Sequence, residues 1–512
     1  MGDHTEVTDS PKVNGTVRVL FIALFLAVMA LGIVLRMTHL DIPMRSPDEK
    51  VYTIFAKIIA DTGIRSTKIL VEQFNADKDT WIYPTPIRIG YTYLLALVMR
   101  LTGSYDETVG TYVSCACSII AFAIVALMGV RFFNPWVTLC ALLFMAVSPV
   151  DLAMARRAWQ DSLVGCVGLA LIYLSCEISI NPRRIAWYIP FFILGGLCLL
   201  IKESGLIIYG LCIVWVLCAV LCAERSLKAG MAFALLSAAS IAISIALLAK
   251  VSGGIVNVVD VVKNNMGSVA TNDYAIEYQT GPWYAFAQDL WLSSPVAGLL
   301  SVVGIAGMIV CGFLRVPISR RNHERRAFFG LIFFVVAFLS IATIPRHLKN
   351  VRYVSAVLGP FYLMGGAGFW YIISFVKGRL GTGAFRIAVA GIALALLAAA
   401  AGDYKNSTYI LFAVIVLGVA VILRYAKNFK NVRALSDFLS SVSGTGLGHI
   451  ISCIRERFNA YYLIIVTALI AASLLFAALN DYRNFKHIFL ENGMLDTSHR
   501  VLVENSRYTS LR

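Results

Sequence analysis

Along this chain, apolar stretches of about 17 to 23 residues recur between short polar breaks. Each matches the roughly 30 Å of bilayer hydrocarbon at 1.5 Å of rise per helical residue. The pattern predicts an all-α polytopic membrane protein with about 13 transmembrane helices. The spans fall at 17–38, 107–129, 134–150, 161–180, 186–201, 204–222, 229–250, 293–314, 327–344, 351–375, 385–402, 408–425 and 460–480.

One apolar run is left out of that series on physical grounds. If "TPIRIGYTYLLALVMRLTG" (85–103) crossed the membrane, the basic loops "NPRR" (181–184) and "RVPISRRNHERR" (315–326) would face outside. The basic-poor stretch 251–294 would then face inside, against the positive-inside rule. Laid along the interface with Arg88 and Arg100 snorkelling, the segment puts every later loop on the side its charge prefers. A second interfacial helix precedes it. In "DEKVYTIFAKIIADTG" (48–63), Val51, Ile54, Phe55, Ile58 and Ile59 recur at helical spacing. The first outer loop is therefore expected to hold helices at 48–62 and 86–102, joined by a polar stretch containing "WIYPTP" (81–86).

This topology divides the chain into a cytoplasmic tail (1–16) and a catalytic transmembrane module (17–375) with outer loops 39–106, 151–160 and 251–293. Further transmembrane helices (376–480) follow, with a cytoplasmic loop at 424–459, and then an outer tail (481–512). The first apolar run, Val17 to Leu35, is longer than a signal-peptide core and reads as a retained anchor. A surface helix pair is expected at 432–458.

Composition agrees: 59% hydrophobic and 14% charged residues leave too little polar surface for a soluble domain of 512 residues. The net charge of +15 does not point to nucleic acid, because five Arg sit within 315–326 and six Lys or Arg within 424–457. Both stretches are cytoplasmic loops in the predicted topology. Nearly all of the eleven Cys lie inside apolar runs, where a thiol packs as a small hydrophobe, so neither a disulfide framework nor a zinc site is expected.

The charges on the outer side are the exceptions. "SPDEKVY" (46–52) places Asp48 and Glu49 together, which suits first-turn acids of a helix opened by Ser46-Pro47 but equally a functional pair. "SPVDLAMARRAWQDSLVG" (148–165) adds Asp151, Arg156, Arg157 and, at the start of a span, Asp161. A charge near hydrocarbon costs roughly 2.5 to 3.5 kcal/mol, so it needs a partner or a role. "KES" (202–204) contributes Lys202 and Glu203, and "IPRHLKNVRYVSAVLGP" (344–360) contributes Arg346, His347, Lys349 and Arg352 within seven residues. Snorkelling explains any one of these cations; together they suit an anionic ligand, and Arg forks suit phosphate. Carboxylates and phosphate-binding cations on one membrane face fit group transfer from a lipid-linked phosphate. An Asp would act as general base on an acceptor hydroxyl while cations stabilise the departing phosphate.

In order and spacing these segments resemble the C-type (GT-C) glycosyltransferases, in particular the polyprenyl-phosphate-sugar family that includes protein O-mannosyltransferases and the aminoarabinose transferase. The matching pieces are "SPDEKVY", "YPTPIRIGYTYLLALVMRLTG", "SPVDLAMARRAWQDSLVG", "IKESGL" and "RHLKNVRYVSAVLGP", between about residues 45 and 360. The resemblance implies that Asp48 is the base, that Asp161 is the second outer acid, and that Arg352-Tyr353 lies near the donor phosphate. The sequence departs from the family in having about 30 residues after the last predicted span and "YPTP" where many relatives carry a His or Glu before the prolines.

The expectation is thus an inverting glycosyltransferase (hexosyl or pentosyl) acting from a polyprenyl-phosphate donor onto a hydroxyl of a lipid, glycan or protein. It would sit in a bacterial inner (plasma) membrane with its site on the periplasmic face, among membrane lipids and without nucleic acid. The catalytic candidates are Asp48, Glu49 and Asp161. The substrate-binding candidates are Arg88, Arg156, Arg157, Lys202, Glu203, Arg346, His347, Lys349, Arg352 and Tyr353, with Tyr52 and Tyr83 for the sugar or for the interfacial aromatic belt. Paired carboxylates and phosphate are hard ligands that admit a divalent metal, which stays unassigned. The rival readings are a transporter or flippase of an anionic lipid and a non-catalytic family member. Charges confined to one face and the lack of an evident repeat speak against transport.

Overall fold

The computed structural model describes residues 15–41, 45–224, 227–313, 322–379, 477–491 and 497–508. The predicted spans at 385–402 and 408–425, most of the one at 460–480, the loop at 424–459 with its surface helix pair, and most of the basic run 315–326 lie outside the described residues.

What is described is helical. A first helix, α1 (Gly15–Met37), is followed by α2 (Pro47–Thr62), α3 (Ser66–Ala76) and α4 (Ile89–Thr102). The bundle continues with α5 (Thr108–Phe132), α6 (Pro135–Ala146), the short α7 (Pro149–Met154), α8 (Asp161–Ile180), α9 (Tyr188–Ile201), α10 (Gly205–Glu224) and α11 (Leu227–Val251). Then come α12 (Ile255–Thr271), α13 (Asp273–Tyr278), α14 (Ala285–Ser293), α15 (Pro295–Phe313), α16 (Asn322–Ala342) and, after a 3-10 turn at Val351–Val354, α17 (Ser355–Arg379). Residues 477–485 are helical and run into a π-helix at Lys486–Glu491; α18 (His499–Tyr508) comes last.

Among the described residues five helices are long and apolar enough to cross a bilayer: Thr108–Phe132, Asp161–Ile180, Gly205–Cys222, Leu227–Val251 and Val351–Ser374. Several predicted spans, including 134–150 and 186–201, have shorter apolar helices at their positions. Small residues let helices approach closely where no hydrophobic force draws them together in lipid. A Cβ on Gly368 of α17 would lie 1.8 Å from the Leu300 carbonyl of α15, a distance no side chain tolerates.

The bundle has two polar ends. Arg36, in the last turn of α1, donates to Ser118 of α5 (2.8 Å) and to the Met145 carbonyl of α6 (3.0 Å). Its own carbonyl accepts from Cys115 of α5. Residues 38–107 therefore leave and return at one end of the bundle, and α4 lies among them. The opposite end is marked by Arg131 at the end of α5, bound through two hydrogen bonds to Glu177 near the end of α8 (2.5 and 3.0 Å).

The outer segments hold more structure than expected. α3 and α12 to α14 are helices within stretches read as loop, and α3 pairs with α12. Val71 and Phe74 of α3 meet Val258 and Val261 of α12, with Ile87 beside them, in a small core separate from the bundle. Asn265 donates to the carbonyls of Trp81 (2.8 Å) and Tyr83 (3.3 Å), tying the two segments together. On α2, the face turned to protein is Glu49, Tyr52, Thr53, Ala56, Ile59 and Ala60. Ile54, from the apolar stripe, is 52% exposed. Of the rest of the stripe, Ile59 is buried and Phe55 and Ile58 pack against the core, and α2 packs on α4 through the Tyr52–Tyr91 contact.

Candidate active site

The first turn of α2 gives its two acids opposite surroundings. Pro47 at the first helical position pre-sets the backbone, and Asp48 and Glu49 complete a turn whose dipole favours negative charge. Glu49 points inward and is fully buried. Its carboxylate accepts from Ser46 N (2.7 Å), Arg157 Nη1 (2.7 Å), Ala158 N (2.8 Å) and Arg45 Nη1 (3.2 Å). That hub fixes the start of α2 to the turn between α7 and α8. Asp48 points the other way, with its side chain 30% exposed, and faces Arg352 at 3.0 Å.

Arg352 arrives on the 3-10 turn before α17. The Asn350 side chain caps that turn by accepting from the Arg352 backbone N–H (3.2 Å). The guanidinium lies 4.3 Å from the centre of the Trp159 ring and 5.3 Å from that of Tyr353. Tyr353 in turn lies under Lys202, whose Nζ is 4.3 Å from the ring centre and 2.6 Å from Asp161 Oδ1. The other Asp161 oxygen and the Arg352 Nε are buried without a hydrogen-bond partner. Two cation–carboxylate pairs thus share one aromatic ring.

A third pair flanks them. Arg88, just before α4, binds Glu203 (Nη2 to Oε2, 3.0 Å) and donates to the Tyr52 hydroxyl (2.7 Å). Thr85 also donates to Glu203 (3.0 Å). Burial pulls the Glu203 carboxyl up, but facing Arg88 more than offsets this and holds it below the usual carboxylate range. Burial pushes the Tyr52 phenol well above its ordinary value, against the opposing pull of Arg88, so the hydroxyl stays protonated.

Among the described residues no group of three or more His, Cys, Asp and Glu side chains converges as a metal site. A divalent ion at Asp48 or Asp161 would need phosphate oxygens or water to complete its shell.

A family model described as dolichyl-phosphate-mannose-protein mannosyltransferase matches residues 86–248, a stretch that includes Arg88, Asp161, Lys202 and Glu203. No protein of curated function matches the sequence significantly. Among solved structures the chain is similar to the archaeal oligosaccharyltransferase AglB from Archaeoglobus fulgidus, at 11% identity with a TM-score of 0.50, over 92% of this chain and 56% of AglB. The chain shares its fold with that enzyme. ArnT from Cupriavidus metallidurans matches at 13% identity and a TM-score of 0.47, over 97% of this chain and 78% of ArnT. The arabinosyltransferase EmbB from Mycobacterium smegmatis matches at 11% and 0.43, over 92% of this chain and 46% of EmbB.

The chain brings Asp48, Tyr52, Arg88, Asp161, Lys202, Glu203, Arg352 and Tyr353 to one end of its bundle, with Glu49 and Arg157 directly behind. The remaining candidates make their contacts elsewhere. Arg156 is buried, donates to the carbonyls of Leu152 and Leu35 (2.5 Å each) and stacks on Phe485, tying α7 to α1 and to the 477–491 segment. Lys349 donates to the Thr343 carbonyl (2.5 Å) and sits over Phe286; burial lowers its pKa. His347 meets Thr280 (2.7 Å), and Arg346 is exposed. Tyr83 joins the outer-layer contact through its carbonyl. Sequence reasoning missed Trp159, Thr85 and Arg45. Trp159 carried a signal, an aromatic between Arg157 and Asp161 in a polar turn; Thr85 and Arg45 carried none.

Proposed function

We propose that the chain is a membrane glycosyltransferase that moves a sugar from a polyprenyl-phosphate donor to a hydroxyl of a lipid, glycan or protein acceptor on the non-cytoplasmic face. The observation that carries this reading is the meeting of Arg352–Asp48 and Lys202–Asp161 at the Tyr353 ring. Cations ready for a phosphate stand beside carboxylates ready for a hydroxyl. The family match to a lipid-phosphate-sugar mannosyltransferase supports the donor class, as does the dolichol-phosphate in the AglB complex.

In the resting arrangement Arg352 is held by Asp48. An incoming donor phosphate competes for that guanidinium and for Lys202, and as Arg352 turns to it, Asp48 is released to accept a proton. The acceptor hydroxyl gives its proton to Asp48, its oxygen bonds to the sugar's anomeric carbon, and the bond to phosphate breaks with its electron pair leaving on the phosphate oxygen. Attack from the face opposite the phosphate inverts the anomeric centre. Arg352, Lys202 and Arg88 stabilise the charge that builds on the leaving phosphate. Asp161 orients Lys202, and Glu49 holds α2 in place.

Mass spectrometry of envelope lipids and glycoproteins from a strain lacking this chain tests the reading. Loss of one sugar modification with accumulation of its unmodified acceptor is expected, and an unchanged inventory contradicts it.

A further inference from the structure

The turn that carries Arg352 is held from outside by a segment distant in sequence. Residues 497–499 run beside 349–351 as a short antiparallel pair, with a single bridge between Asn350 and Ser498. Val351 N–H donates to the Thr497 carbonyl (3.0 Å), and His499 N–H donates to the Lys349 carbonyl (3.0 Å). Lys349 N–H in turn donates to the Gln279 carbonyl (2.8 Å). The Thr497 hydroxyl donates to Asn350 Oδ1 at 2.6 Å. This is the same oxygen that caps the 3-10 turn by accepting from Arg352 N–H. One hydroxyl from the far end of the sequence therefore orients the side chain that sets the direction of Arg352.

The other end of the clamp is anchored on α14. His499 Nδ1 lies 2.6 Å from Asp289 Oδ1, and both side chains are buried. The imidazole ring is seated on Gly281, where an added Cβ would come within 2.7 Å of His499 Cδ2. The seat admits the ring only because residue 281 has no side chain. A segment that merely covered the surface would need neither a buried, hydrogen-bonded histidine nor a shared cap oxygen.

We infer that Thr497 and His499 are positioning residues for Arg352: by clamping the 349–353 turn they set the reach of its guanidinium to Asp48 and to an incoming phosphate. The inference rests on the donor-site reading given above. It predicts that small changes to the clamp weaken phosphate binding while the chain stays folded.

The test uses the full chain purified in detergent, with farnesyl phosphate as the probe. Thr497→Val removes the hydroxyl at nearly constant shape and is expected to weaken binding about fivefold, the usual effect of one lost hydrogen bond. Thr497→Ser keeps the hydroxyl and is expected to bind as the unmodified protein does. Gly281→Ala displaces the His499 ring from the other side and is expected to weaken binding as Thr497→Val does. If Thr497→Val and Gly281→Ala bind normally while Arg352→Ala is weakened, the clamp is overturned and the donor site stands. If Arg352→Ala also binds normally, the donor-site reading fails and the clamp falls with it. Should either clamp variant not fold, hydrogen exchange on the unmodified chain decides the matter. Farnesyl phosphate is expected to raise protection at 349–353 and 497–503 together, and protection at 349–353 alone would overturn the clamp.

Discussion

The Arg352 guanidinium lies 3.0 Å from the Asp48 carboxylate, although 304 positions separate the two residues. Two segments far apart in the chain meet there, beside the Trp159 and Tyr353 rings. Arg352→Lys keeps the charge but loses the planar fork and its stacking on those rings. Transfer from a polyprenyl-phosphate-sugar donor is expected to fall by about 10²-fold. Rates measured with reconstituted protein check this, and a lysine variant at full rate would remove the phosphate role from Arg352.

Glu49→Gln is expected to damage stability rather than chemistry. The substitution leaves Arg157 and Arg45 facing a neutral amide in a buried hub, a loss of about 3–5 kcal/mol when a buried pair is broken. Thermal unfolding in detergent should show a markedly lower midpoint for Glu49→Gln and little change for Asp48→Asn, whose side chain is partly exposed. Equal midpoints for the two variants would contradict the assignment of a structural role to Glu49.

This division of labour between neighbours was hidden in the sequence. The apolar helices of the described residues, that around Tyr91 included, were legible as helices, because apolar length is a local quantity. So was the convergence of Asp48, Asp161, Lys202 and Arg352, since topology alone puts their segments on one side. Which neighbour faces in was not legible. That depends on the hundred-degree step along a helix set against partners such as Arg157, 108 residues away. The same holds for Arg346 and His347, whose charge resembles that of Arg352 while their contacts lie elsewhere, and for α3 and α12, whose apolar faces meet each other across a long stretch of sequence.

Lys202 and Asp161 should behave as one unit. Each is almost fully buried, so Lys202→Met or Asp161→Asn alone strands a charge, at about 3 kcal/mol or more. The double variant is expected to cost clearly less than the sum of the two, with activity still lost. A double-mutant cycle on thermal stability measures this, and simple additivity would show that the pair is not coupled.

The Arg88–Glu203 contact predicts a pH response. Glu203 is held below the usual carboxylate range, so the folded chain takes up this proton less readily than the unfolded one. The contact contributes stability above about pH 4.3, the ordinary glutamate value, and that contribution fades as pH falls through the lower folded-state value. Proteolysis of the 77–88 stretch should increase in that acid range, and Glu203→Gln should flatten the response. A response identical in the two proteins would place its origin elsewhere.

The most direct measurement compares Asp48→Asn with the unmodified protein in the same vesicles, reading both sugar transfer from a polyprenyl-phosphate donor and farnesyl phosphate binding. With Asp48 as the base, transfer falls by about 10²-fold or more while phosphate binding is retained. Transfer at the unmodified rate would contradict the account.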